Sequence, residues 1–307
     1  MKIATRGSAL ALWQANHVRD RLCALDADLD VQLVIIKTKG DKILDVPLAK
    51  VGGKGLFVKE IERALIDGDA DLAVHSMKDV PAQLEAGLTM SAISERADPF
   101  DALCSRGGQA LMELPRGARI GTSSLRRQCQ LRAIRSDIEI LSLRGNVDTR
   151  LRKLDEGQFD AIILAAAGLT RLGFADRISE VLDPPRFLPA IAQGALGLET
   201  RADDADAIER VRAAMHNERD ARRVRAERAF MARLEGGCQT PMAAYVDYAG
   251  DQLRMRAMVS SLDAREILRA NMSGDAATPE QLGTAVAEQL LSAGADRILA
   301  ECLAAPQ

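Results

Sequence analysis

The chain has 307 residues, 47% of them hydrophobic and 28% charged, a soluble globular composition long enough for two or three domains. A net charge of −3 argues against a protein-wide nucleic-acid surface, and with only 3% aromatic residues the cores must be built from Leu, Ile, Val and Ala. No basic-plus-apolar leader is visible before the first strand and no run approaches membrane-spanning length, so a cytoplasmic protein with no membrane or nucleic-acid partner is expected.

Short apolar runs alternate with helical patterns through the N-terminal part. KIATR and VQLVIIKTK read as strands around a helix over residues 8–25, with Ala11, Ala15, Val18, Leu22 and Leu25 on one face. A second helix begins near Gly55, with Phe57, Ile61, Ala64 and Leu65 inward and Lys59, Glu60, Glu62 and Arg63 outward. DLAVHS and LTMSAIS follow as strands, and this order implies a mainly parallel sheet with right-handed crossovers. The pattern then restarts: ARIGTSS leads into a helix, IEILSLR into another, and DAIILAAAG into a third. LDPPRFLPA closes that unit, and GALGLETR with the acidic helix after it reads as a return to the first. Beyond residue 217 come a long charged helix, three strand-like runs and a final amphipathic helix. The expected organisation is a first α/β lobe (1–95 with 195–214), a second α/β lobe (100–190) and a smaller α+β domain (217–307).

Five cysteines (23, 104, 129, 238 and 302) show no CxxC pair and no zinc spacing, and with three histidines no metal site is expected. In a reducing compartment the thiols stay free. Cys238, in LEGGCQTP, has glycines and a polar turn for neighbours. The residues themselves leave a spare thiol and an attachment point both open.

The second lobe carries the clearest local chemistry. GTSSLRR and SLRGNVDTR each place hydroxyl or amide side chains and arginines where a strand gives way to a helix. Free backbone N–H groups and the helix dipole make such a junction an anion site, to which Arg126, Arg127, Arg144 and Arg150 add forked donors. Without interleaved aromatics these arginines lack the stacking platforms that single-stranded nucleic acid uses. In the first lobe, AKVGGKGLFVKE matches neither a Walker loop nor a dinucleotide fingerprint, and reads as a loop bringing Lys50 and Lys54 to an anion. In VHSMKDVP, Asp79 stands two residues before Pro81, which restricts Val80 to extended conformations. A carboxylate so held can stabilise a developing cation or serve as a turn cap. His75 falls within the strand pattern and reads as a core residue.

Together, IATRGSALALWQA, LAKVGGKGLFVKE, DLAVHSMKDVP, GTSSLRRQCQL, LRGNVDTRL, AIILAAAGL, AQGALGLE and LEGGCQTP resemble the porphobilinogen deaminase (hydroxymethylbilane synthase) family, in family order from residue 3 to 241. The resemblance implies two lobes like those of periplasmic anion-binding proteins plus a third domain. It implies a transferase joining four porphobilinogen molecules head to tail with loss of ammonia, then releasing hydroxymethylbilane by hydrolysis. The family primes this reaction on a covalent dipyrromethane cofactor. The match gives Cys238 the thioether attachment and Asp79 the catalytic carboxylate. Carried over in the same way, Ser76, Lys78, Thr122, Ser123, Ser124, Arg126, Arg127, Arg144 and Gly145 contact the cofactor. Arg6, Ser8, Lys50, Lys54, Arg144, Arg150, Arg171 and Gln193 contact substrate. Gly236 and Gly237 would leave room for the attached group, and a monomer is implied. The chain departs from the family pattern at Gly7 and Ala9, and at Ala192, where glycine is common.

The rival reading is a non-enzymatic two-lobed anion-binding protein, which accounts for the arginine junctions but not for Asp79, the third domain or GGCQ. A redox or acyl-transfer cysteine enzyme is a weaker alternative, since no partner histidine is evident.

Overall fold

Two five-stranded sheets share one design in the computed structural model, which describes residues 1–42, 58–237 and 240–304. The first sheet contains β1 (Lys2–Arg6), β2 (Gln32–Ile36), β3 (Leu72–Ser76), β4 (Leu88–Ile93) and β10 (Leu196–Arg201), in the order β2-β1-β3-β10-β4. The second contains β5 (Asp101–Ser105), β6 (Arg119–Gly121), β7 (Glu139–Leu141), β8 (Ala161–Ala165) and β9 (Glu180–Leu182), in the order β7-β6-β8-β5-β9. In each sheet four strands run one way, and the fourth in line, β10 or β5, runs against them. Each reversed strand arrives from the other lobe, so residues 94–100 and 183–195 form two adjacent crossings. The expectation of mainly parallel sheets holds, with one antiparallel strand in each.

Periodicity explains the helices that cover the sheets. In α1 (Ala9–Leu25) the Ser8 hydroxyl accepts from Ala11 N–H and caps the start. Ala15, Val18 and Leu22 are buried, and each larger side chain contributes about 1.5–3 kcal/mol on burial. Leu25, expected on the same face, is 60% exposed because the helix ends there, and Ala11 is only half-buried. In α2 (Lys59–Ile66) Ile61, Ala64 and Leu65 point inward as expected; Phe57 lies outside the described residues. Glu62, expected outward, is buried, its Oε1 accepting from Glu85 N–H.

The second lobe adds α3 (Leu125–Ile134), α4 (Val147–Asp155) and α5 (Ala166–Arg171). After β10 come α6 (Ala205–Met215) and α7 (Glu218–Arg233). Three long antiparallel strands follow, β11 (Met242–Ala249), β12 (Gln252–Ser260) and β13 (Ile267–Asp275). The final amphipathic segment is two helices rather than one, α8 (Pro279–Ser292) and α9 (Ala295–Ala304), broken at Gly294 with φ +97°.

The C-terminal core does not stop at its own elements. Its cluster of buried residues, including Phe230, Val246 and Val286, also takes in Met77, Val80, Ile191 and Ala192. The third domain therefore grips the end of β3 and the second crossing. That grip positions the site described next.

Candidate active site

The carboxyl ends of the parallel strands in both lobes open toward the crossings, the usual place for a ligand in such sheets. From β3 the chain enters a single 3-10 turn, Met77–Asp79, anchored by Met77 N–H donating to Ala195 O at 3.0 Å. Val80 leaves the turn extended (φ −78°, ψ 126°), as Pro81 dictates. Ser76 accepts at Oγ from Gln14 Nε2 of α1 at 2.9 Å. Across the cleft, Thr122, Ser123 and Ser124 lead from β6 into α3, and Arg144 and Gly145 lead from β7 into α4.

A buried charged network joins the two sides. Asp101, fully buried at the head of β5, accepts from Arg126 Nη1 at 2.7 Å, from Arg127 Nη2 at 2.7 Å and Nε at 3.1 Å, and from Gln193 Nε2 at 3.1 Å. Lys78 Nζ donates to the other end of that amide, Gln193 Oε1, at 3.2 Å. Burial alone would raise the Asp101 carboxyl, but the two guanidiniums hold it well below the usual carboxylate range. Burial pulls the Lys78 ammonium down to about 8, with Asp79 pushing the other way. Arg150 is brought to about 10, first by burial and then by the charges of Arg127 and Arg144, while Asp79 offsets them. Lys78, Asp79, Arg127, Arg144 and Arg150 thus share one electrostatic neighbourhood across the cleft.

The remaining expected residues have varied neighbours. The guanidinium of Arg144 and the hydroxyl of Ser124 make no hydrogen bond among the described residues, and burial lowers the Arg144 pKa. Ser123 ties the two strand-end loops together, donating to Leu143 O at 2.9 Å and accepting from Leu143 N–H at 3.1 Å. Thr122 Oγ1 accepts from Ser124 N–H. Arg150 Nε donates to Gly145 O at 2.7 Å; Gly145 has φ +116°, and a Cβ there would meet the Thr149 side chain at 2.8 Å. Arg6 ends β1, and Ser8 is the helix cap. Arg171 stands apart, at the seam between α5 and α1, donating to Gly194 O at 2.7 Å with its guanidinium over the Trp13 ring at 5.6 Å. Lys50, Lys54 and Cys238 lie outside the described residues.

Two expectations change. Arg126 and Arg127 read in the sequence as donors waiting for a ligand, yet both are tightly paired to Asp101, two guanidiniums sharing one carboxylate in a rigid unit that keeps a net positive charge. Gly236 read as space for an attached group, but a Cβ there would run into the Met242 side chain; at Gly237 the space is open. The strand reading of His75 holds: it is buried, with Nε2 at 2.9 Å from Glu199 Oε2.

Sequence reasoning missed Asp101, Arg96 and Glu227. Arg96 and Glu227 form a fully buried forked pair at 2.6 and 3.0 Å, while Arg96 Nε donates to Gln193 O and Glu227 also accepts from Ala192 N–H and Val246 N–H. This locks both crossings to α7. Ala192 needs such a hold, because its φ of +58° is left-handed and costs an alanine roughly 1–2 kcal/mol. Glycine, the residue the resemblance leads one to expect here, would carry no such cost. No short motif marks these residues, since their partners are distant in sequence.

The chain matches known proteins over nearly its whole length. The family description "Porphobilinogen deaminase, dipyromethane cofactor binding domain" matches residues 1–209, and "Porphobilinogen deaminase, C-terminal domain" matches residues 221–292. The porphobilinogen deaminase of Maridesulfovibrio salexigens is 55% identical over 297 residues, covering 97% of this chain and 96% of that protein. The Nitratidesulfovibrio vulgaris (Hildenborough) porphobilinogen deaminase is 56% identical over 305 residues, 98% of this chain and 96% of that one. Solved structures overlap more loosely: a YaeC-family lipoprotein of Enterococcus faecalis is 14% identical, covering 71% of this chain and 91% of that chain at a TM-score of 0.43, and the architecture rests on the sheets above rather than on that overlap. With both family regions matched and near-full-length identity above one half, the chain belongs to the porphobilinogen deaminase family, transferases that condense four porphobilinogen molecules on a dipyrromethane primer and release hydroxymethylbilane.

Proposed function

We propose that the cleft between the lobes carries out this condensation, with Asp79 as the carboxylate at the reacting carbon and Cys238 as the tether. The single observation that supports this most is the buried chain Lys78–Gln193–Asp101–Arg127, which joins the residue beside Asp79 to the arginine junction of the second lobe. Porphobilinogen carries acetate and propionate groups and an aminomethyl arm. The cations take the carboxylates, while Asp79 is left to face positive charge.

The donor set fits a dipyrromethane, which bears several carboxylates. The guanidinium of Arg144 and the hydroxyl of Ser124 are unspent among the described residues, and the Arg126–Asp101–Arg127 unit adds a fixed positive edge at the start of α3. Lys78, Ser76, Thr122, Ser123, Arg144 and Gly145 would hold it, attached at Cys238. When bound, it supplies the pyrrole carbon onto which the first substrate unit is joined. Arg6, Ser8, Lys50, Lys54, Arg150, Arg171 and Gln193 complete the substrate side of the proposal.

The chemistry asked of the chain is limited. Loss of ammonia leaves a positively charged pyrrole, and a carboxylate a few ångströms away stabilises it without reorganisation. As the new carbon–carbon bond forms, the displaced ring proton needs an acceptor, which Asp79 also provides. Holding both partners in one cleft converts each coupling into a local event. A monomer acting in the cytoplasm completes the proposal, tested by light scattering against the chain mass of 33.1 kDa.

Intact-mass measurement of the purified protein tests the reading. The native protein is expected to carry a covalent excess of two pyrrole units that is absent from Cys238→Ser. An unmodified native mass with no consumption of porphobilinogen would overturn it.

A further inference from the structure

The turn that presents Asp79 is held from outside its own lobe. Arg228, on α7, donates from Nη2 to Pro81 O at 2.8 Å and Ala82 O at 3.3 Å, and from Nη1 to Val80 O at 3.2 Å. These are the three carbonyls that immediately follow Asp79. An arginine fork suits successive carbonyls in this way, because its donors are planar and fixed relative to one another. The guanidinium is drawn down to about 10 by burial, with Glu199 acting in the opposite sense, so it stays charged at neutral pH. Its chain neighbour Glu227 holds the crossings through Arg96 and Ala192. Val80 itself belongs to the C-terminal core with Met77.

We propose that Arg228 is a positioning residue for the condensation: through the carbonyls of Val80, Pro81 and Ala82 it locks the Asp79 turn to α7, the helix whose chain leads on to Cys238. The carboxylate turn then belongs to the same frame as α7 and the crossings that Glu227 holds. The inference rests on the reading that Asp79 acts at the reacting carbon.

The test compares cofactor-loaded enzymes, with loading read by intact mass, stability by thermal unfolding, and kcat and KM for porphobilinogen measured separately. In Arg228→Gln, kcat per loaded enzyme is expected to fall roughly ten- to a hundredfold, the scale of a small misplacement at a reacting centre, with KM changed less than about twofold. Arg228→Lys keeps the charge but not the fork, and an intermediate kcat is expected. In an Asp79→Asn background, Arg228→Gln is expected to add no further loss, which a merely structural strap would not produce. If Arg228→Gln fails to fold or load, Arg228→Lys is read in its place. Wild-type kcat in the loaded Arg228 variant, with Asp79→Asn slow, overturns the inference alone. A fast Asp79→Asn enzyme overturns the reading of Asp79 and the positioning role with it.

Discussion

Arg127 grips Asp101 with two donors, Nη2 at 2.7 Å and Nε at 3.1 Å, both on the same carboxylate oxygen, where the side chain of Asp101 is wholly buried. Arg126 takes the other oxygen at 2.7 Å. A cation pair that looks in sequence like a bare anion receptor is instead built around an internal anion, which keeps two adjacent guanidiniums from repelling one another.

Removing that anion has a defined consequence. Asp101→Asn leaves two buried charges without a counter-ion, and a loss of about 3–5 kcal/mol in urea unfolding is expected. The pH dependence has a fixed sign. The folded pKa of Asp101 lies below its unfolded value of about 3.9, so its stabilisation is fully present above that value and fades as pH falls toward the folded pKa. The stability difference between native and Asp101→Asn proteins is therefore flat above about pH 5 and shrinks below pH 4. A constant difference down to pH 3 would remove Asp101 from this role.

Lys78 gives a limb on the alkaline side. Its ammonium loses charge as pH rises through about 8, whereas in an unfolded chain it holds it to about 10.4. Lys78 holds a cofactor carboxylate in the proposed site, and loss of its charge weakens the cationic field that also receives the substrate carboxylates, so KM for porphobilinogen is expected to rise above pH 8 in the native enzyme. In Lys78→Arg the rise is expected to disappear up to pH 9.5, since a guanidinium does not titrate there. Steady-state KM profiles from pH 6.5 to 9.5 settle the point, and identical profiles would exclude Lys78.

The chain has one tryptophan, and it reports on the lobe seam. Trp13 stacks on His17 with ring centroids 5.2 Å apart at 9°, and Arg171 of the opposite lobe covers its ring. The His17 pKa is lowered by burial, then by Arg171 and Arg21. Arg171→Leu removes one of these depressing charges, so the pH midpoint of the His17-dependent change in tryptophan emission is expected to move upward. An unmoved midpoint would show that Arg171 does not sit over the ring in solution.

Local patterns carried much of this protein. The 3.6-residue spacing of Ala15, Val18 and Leu22 marked a buried helix face, Pro81 set the extended exit from Asp79, and hydroxyl-plus-arginine junctions marked the strand-to-helix passages after β6 and β7. Such features are legible because each depends on residues a few positions apart. The short motifs also sufficed for the family, whose chemistry demands a carboxylate and many cations. What the sequence left open depends on contacts between distant residues. That Arg126 and Arg127 share Asp101, that Gln193 bridges Lys78 to the same anion, and that Arg228 reaches from α7 to the turn after Asp79 follow only from the crossing of two lobes and the packing of the third domain against them. A buried charge is stable only with its partner, and the partner is chosen by the fold.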